Sequence, residues 1–305
     1  MLRTRGLTKR FGGLTAVDDV DFALGEDELC SLIGPNGAGK TTFFDLLTGA
    51  LEPTAGTVEL RTDSAAGSAD GGAGNRDGAG DGVDGRADAG TPGATGPDGW
   101  TDVTGAAPHE VASMGVHRSY QVTNVFPGST VLENVRVAAQ AAGPDASTFW
   151  RNAGELDRYL EEAYAVLDRV GLADRAEEPA SALSHGAKRQ LEVGIALAGD
   201  PDVLLLDEPN AGVSSESVSR VVDLVEDVAT DHAVLLVEHN MDIVMEVSDR
   251  VVVLNQGAVI ADDEPAAVRA DPAVQEAYLG GYEPGSAGTG ADGSDRSADD
   301  GGELA

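Results

Sequence analysis

The chain has 305 residues, 41% of them apolar, which suffices for one large α/β domain with an inserted lobe or for two domains. Its 53 acidic against 20 basic residues leave a formal net charge of -33. A surface of that sign repels phosphate backbones and anionic headgroups, which argues against a general nucleic-acid binder and against electrostatic attachment to a membrane. Carboxylates run through the whole length and lysine is scarce, a balance that fits either a halophile's protein, since high salt screens such repulsion, or simply a soluble acidic protein.

The N-terminal run MLRTRGLTKRFGG lacks the apolar stretch of a signal peptide, and no window approaches the roughly 18 apolar residues of a membrane span. A cytosolic chain is expected, held at a membrane only through partners. Two runs that alternate apolar and polar, Leu2 to Leu7 and Val17 to Leu24, predict strands open on one face. Leu29 to Ile33 is a short apolar strand; Cys30 within it reads as a small core residue, and as a lone thiol it cannot close an internal disulfide. A glycine-rich loop follows, and Thr41 to Thr48 predicts a helix.

Residues 62–99 are rich in glycine and aspartate with almost no apolar side chains, so they cannot offset the entropy of ordering. The spacing predicts a disordered surface insertion in a hairpin, between GTVEL and WTDVTG. The tail 283–305 has the same composition and the same expectation. Between them, LDRYLEEAYAVLDRVGL carries apolar residues at helical spacing, and ALSHGAKRQLEVGIALAGDP places a serine before a helix. VLLLDEP and AVLLVEH read as buried parallel strands, with the amphipathic SESVSRVVDLVEDVA as the crossover between them. VVVLNQGAVIAD predicts two strands joined at Gln256 and Gly257, and two short helices follow, ending near Tyr278.

Two motifs carry chemistry. GPNGAGKTT fits G-x-x-x-x-G-K-[ST] with Gly34, Gly39, Lys40 and Thr41; Pro35, Asn36, Gly37, Ala38 and Thr42 complete it. Glycines let successive main-chain N–H groups turn toward a phosphate, and the start of the next helix adds partial positive charge. Lys40 is placed to reach the β- and γ-phosphates of ATP, and the Thr41 hydroxyl to ligate Mg²⁺. In VLLLDEP two acids follow four apolar residues: Asp207 is assigned to the metal and Glu208 to the base that activates water.

GPNGAGKTT, Gln121 in RSYQ, LSHGAKRQ, LLLDEPNAGVS and His239 in LLVEHN occur in the order of ATP-binding cassette (ABC) nucleotide-binding subunits, which the chain resembles over nearly its whole length apart from the insertion and the tail. The resemblance implies an α/β P-loop NTPase with a RecA-like core, an antiparallel β-subdomain and an α-helical subdomain. That domain would span 1–282, with the helical lobe at about 122–200. It further implies that Phe11 in KRFGG stacks on adenine, that Gln121 touches Mg²⁺ and the water, and that His239 is the switch contacting the γ-phosphate. In LSHGAKRQ, Ser184 and Gly186 would meet the γ-phosphate held by a second subunit. His185 and Ala187 depart from the commoner LSGGQ, and Ser214 stands where many relatives have aspartate.

FPGSTVLENV, DEPNAGVS, LLVEHNMDIVMEVSDRVVVLNQG and the ending VRADPAVQEAYLG resemble the ATPases of branched-chain amino-acid importers, a pattern shared with urea and short-amide importers. The resemblance implies partners: two transmembrane permease subunits, a second ATPase subunit, identical or closely related, and indirectly an external substrate-binding protein. DNA-repair relatives need long coiled coils and translation relatives carry two cassettes. This chain shows neither. A related exporter stays open on motifs alone.

Overall fold

The computed structural model describes residues 1–61, 95–96, 98–119, 125–143, 153–213 and 215–279. Two sheets organise it. Strands β1 (Leu2–Phe11), β2 (Leu14–Leu24), β4 (Ala55–Leu60) and β5 (Thr101–Asp102) form an antiparallel sheet in the order β2-β1-β4-β5. The second sheet has the order β10-β9-β3-β8-β7-β6, built from β3 (Leu29–Ile33), β6 (Val116–Ser119), β7 (Val203–Asp207), β8 (Ala233–Val237), β9 (Arg250–Asn255) and β10 (Ala258–Asp263). It is parallel except for the β9–β10 hairpin.

The helices are α1 (Lys40–Leu47), α2 (Pro108–Ser113), α3 (Val131–Ala142), α4 (Ala153–Arg169), α5 (His185–Leu197), α6 (Ser215–Val228), α7 (Met241–Val247), α8 (Pro265–Ala270) and α9 (Pro272–Leu279). No helix among the described residues is long and apolar enough to cross a membrane.

The continuous apolar strands are explained by a layer on each face of the parallel sheet. On β7, Val203 and Leu205 join Phe43, Phe44 and the antiparallel sheet in one core. Leu204 and Leu206 turn the other way, into a second core with α3, α4, α5 and α6. A third, smaller core packs α7, α8 and α9 on Ile33, Val251 and Val253. Cys30 sits in the first core at 0% exposure, and burial pushes its thiol pKa up to about 12, so it is an inert packing residue.

Most expected elements are present. The hairpin across the insertion pairs Glu59 with Asp102 and Leu60 with Thr101; the insertion's bulk, 62–94, and the tail lie outside the described residues. Gln256 and Gly257 both adopt positive φ, 50° and 87°, as a two-residue turn between β9 and β10 requires. The expected strands Leu2 to Leu7 and Val17 to Leu24 are longer in the structure, because β1 and β2 pair through register shifts between Thr4 and Arg10. Shifts of this kind break the two-residue alternation while the ladder continues.

Candidate nucleotide site

β3 is the third strand of the parallel sheet, between β9 and β8, and its chain emerges into the loop 34–39 that opens α1. Two loop glycines have no substitute. Gly34 has φ 152°, and a Cβ there would stand 2.1 Å from the Leu254 carbonyl oxygen. Gly39 has φ 109°, with its imagined Cβ 2.3 Å from the Ala16 oxygen. The loop is therefore pressed against β2 and the β9–β10 turn, where Gly257 N–H donates to the Ala38 oxygen at 2.9 Å. Asn36 and Gly37 are exposed at its tip, and Thr41 faces solvent at the first turn of α1.

Lys40 folds back over this loop, donating to the carbonyl oxygens of Gly34 (2.6 Å) and Pro35 (3.3 Å). Burial lowers its pKa, and the nearby Glu208 and Asp207 carboxylates act against that shift. A half-buried ammonium caged by neutral carbonyls is poised for a better anionic partner.

Asp207 ends β7, 6% exposed. Its carboxylate accepts from Arg118 Nη2 at 2.8 Å, and Arg118 Nη1 donates to Asp45 on α1 at 2.6 Å. Burial works against the Arg118 charge, yet its bonds to Asp45 and Asp207 outweigh that and raise its pKa. Among the described residues no three His, Cys, Asp or Glu side chains converge as a metal cage. Thr41 and Asp207 suit Mg²⁺, an ion that takes only one or two protein ligands and completes its shell with phosphate and water.

Glu208 has φ 48°, in the left-handed region, and its N–H donates to the Val237 oxygen at 2.8 Å. His239, largely exposed just beyond β8, holds Nδ1 3.9 Å from Glu208 Oε1. The loop, Asp207, Glu208 and His239 thus gather at the carboxyl edge of the parallel strands, where open α/β sheets bind ligands. Phe11, the last residue of β1, is 46% exposed, with the Lys9 ammonium 5.2 Å from its ring centre. Gln121 and Ser214 lie outside the described residues.

Ser184 and Gly186 stand apart from this gathering. Ser184 caps α5, its hydroxyl accepting from Ala187 N–H at 3.3 Å. With Gly171, Arg175 and Arg220 the two line a separate cavity of about 120 Å³. The sequence reading missed Arg118 and Asp45. The partners of Arg118 are 73 and 89 positions away and invisible to spacing.

Fold and loop together define a P-loop nucleotide-binding protein with a mainly parallel core sheet, an antiparallel sheet and a helical lobe. The chain belongs to the ABC transporter ATP-binding family: that family's model matches residues 17–75 and 98–211. A second model, described as a branched-chain amino acid ATP-binding cassette transporter, matches 258–284. The high-affinity branched-chain amino acid transport ATP-binding protein LivG of Salmonella typhimurium is 36% identical over 289 residues, covering 92% of this chain and 98% of that protein. BraF of Pseudomonas aeruginosa, of the same description, is 35% identical with the same coverage. Among solved structures, a nucleotide-free ATP-binding cassette from an ABC transporter superposes with TM-score 0.68 at 25% identity, covering 91% of this chain and 98% of that one.

Proposed function

We propose that this chain is the ATP-hydrolysing subunit of an importer for branched-chain amino acids. What carries the reading is the joint presence of Lys40, Asp207, Glu208 and His239 on one sheet edge and a C-terminal segment, 258–284, that matches the branched-chain subgroup. ATP phosphates would lie along the 34–39 loop, drawing Lys40 away from the Gly34 and Pro35 oxygens. Thr41 and Asp207, with Gln121, would hold Mg²⁺, which when bound neutralises phosphate charge. Glu208 takes the proton of the attacking water, and His239 contacts the γ-phosphate. Phe11 supplies a flat face for adenine.

Two such subunits, identical or closely related, would pair so that Ser184 and Gly186 of each reach the phosphate held by the other. A helix start is a ready anion site, which makes ATP a reversible glue. A groove of about 430 Å³ between α2, α3 and α5, lined by His109, Ala112, Val116, Ala138, Ala142 and Ile195, is suited to a short helix from each of two membrane permeases. The chain would then work peripherally on the cytoplasmic face of the membrane, with an external binding protein selecting cargo.

The deciding variant is Glu208→Gln. ATP binding should persist while hydrolysis falls about 10²–10⁴-fold, leaving a trapped pair visible by size-exclusion chromatography. Wild-type turnover by this variant would remove Glu208 as the base. Co-purification with two permeases checks the coupling to transport. We also read the acidic surface as salt adaptation, so transfer from molar to dilute KCl should lower the thermal midpoint; a midpoint indifferent to KCl would remove that reading.

A further inference from the structure

Glu238 has no part in the reaction above, yet at 1% exposure it is the most buried carboxylic acid among the described residues. An isolated carboxylate in that position would be strongly disfavoured, so its partners define its purpose. Oε1 accepts from the Asn210 main-chain N–H at 3.1 Å and from Asn210 Nδ2 at 3.0 Å. Oε2 accepts from the His239 N–H at 3.3 Å and lies 4.0 Å from His239 Nδ1. The Asn210 amide oxygen is buried without a hydrogen-bond partner among the described residues, and the bond from Nδ2 to Glu238 anchors the side chain.

These contacts flank Glu208. Its left-handed backbone, φ 48°, is strained for a non-glycine residue and survives only where the surroundings over-determine it. The end of β8 supplies that constraint at two adjacent residues. The Val237 oxygen holds the Glu208 N–H, and the Glu238 carboxylate holds Asn210, two residues further on. The next residue, His239, is the one whose ring faces Glu208.

We propose that Glu238 is a positioning residue: by clasping Asn210 to the end of β8 it holds Glu208 in its left-handed conformation and sets its spacing to His239. This rests on Glu208 being the base. A carboxylate suits the task better than an amide, because the groups it faces from Asn210 and from the His239 main chain are all donors. A glutamine would turn one acceptor into a donor pointed at another donor.

Steady-state ATP hydrolysis and ATP binding of the full chain test this in Glu238→Ala, Glu238→Gln, Asn210→Ala, Glu208→Gln and the double variant Glu208→Gln/Glu238→Ala. Glu238→Ala should lower kcat by about tenfold to a hundredfold with KM for ATP unchanged. Glu238→Gln and Asn210→Ala should fall between it and wild type. The double variant should be no slower than Glu208→Gln alone, since a residue that acts through the base has nothing left to position. A Glu238→Ala loss that multiplies with Glu208→Gln, or that appears as lost ATP affinity, overturns the proposal. If Glu238→Ala fails to fold, Glu238→Gln and Asn210→Ala decide, and wild-type kcat in both overturns it. Wild-type turnover in Glu208→Gln sinks the base assignment and this role together. Normal Glu238 variants beside an inactive Glu208→Gln sink this role alone.

Discussion

At the carboxyl edge of the parallel sheet, Lys40, Arg118, Asp207 and Glu238 are all wholly or partly buried; Lys40 is tied to its own loop, and the other three to groups on other segments of chain. Apart from the buried α5 pair Arg189–Glu192, the ion pairs made by the helical lobe sit nearer the rim. Arg169 meets Asp227 and Asp231, and Arg175 meets Glu178, every acid of these pairs being more than 40% exposed. The lobe's stability comes instead from its apolar core, where Leu167, Leu191 and Val135 are fully enclosed. Charge buried in the sheet half is expensive unless fully satisfied, so it marks where function is built. Rim charge is cheap and marks little.

Removing single charges should therefore separate the two halves. Lys40→Ala leaves the loop without its cation and should weaken ATP binding by about a hundredfold or more, read by titration with labelled nucleotide. Arg118→Met strands Asp207 and Asp45 beside one another. A loss of about 3–5 kcal/mol in urea unfolding is expected, and a value under 1 kcal/mol would show that water satisfies those acids instead. Ser184→Ala removes the cap of α5, costing about 1 kcal/mol. It should leave ATP binding by the single chain intact and abolish the ATP-driven pair, which equilibrium sedimentation reads.

The smallest effect belongs to the rim. The Arg169 hydrogen bond holds the Asp231 pKa below its ordinary value of 3.8. A depressed folded pKa means the pair contributes above about pH 4 and loses that contribution as pH falls through the lower folded value. Asp231→Asn should thus differ from the native chain by under about 1 kcal/mol at pH 7, and by progressively less as pH falls below about 4. A large difference at neutral pH would break the contrast between rim and core.

How far the sequence could be read varied by element. The strand Leu29–Ile33 agrees residue for residue, because a short apolar run bounded by a polar stretch and a glycine loop has few alternatives. The hairpin at Gln256 and Gly257 was legible from its turn residues. The strand β6 and helix α2 before it were not foreseen: β6 has four residues, and His117 and Arg118 interrupt its apolar pattern. Those two side chains are half-buried or buried because each finds a distant partner, His117 at the Ala196 oxygen and Arg118 at two acids. Asn210 and Glu238 escaped for the same reason. Each looks like an ordinary polar residue beside a motif until β7 and β8 are paired.

By itself the sequence determined the phosphate loop, since only glycines tolerate the backbone at Gly34 and Gly39, and it determined the parallel strands through their unbroken apolar runs. Tertiary structure decided which buried charges meet. Arg118 reaches Asp45 and Asp207, and Glu238 reaches Asn210, because sheet order sets β6 beside β7 and β7 beside β8. Local patterns encode how a segment folds. Electrostatic pairing across 28 to 89 positions exists only once strand order brings the partners within hydrogen-bond distance in a low-dielectric interior.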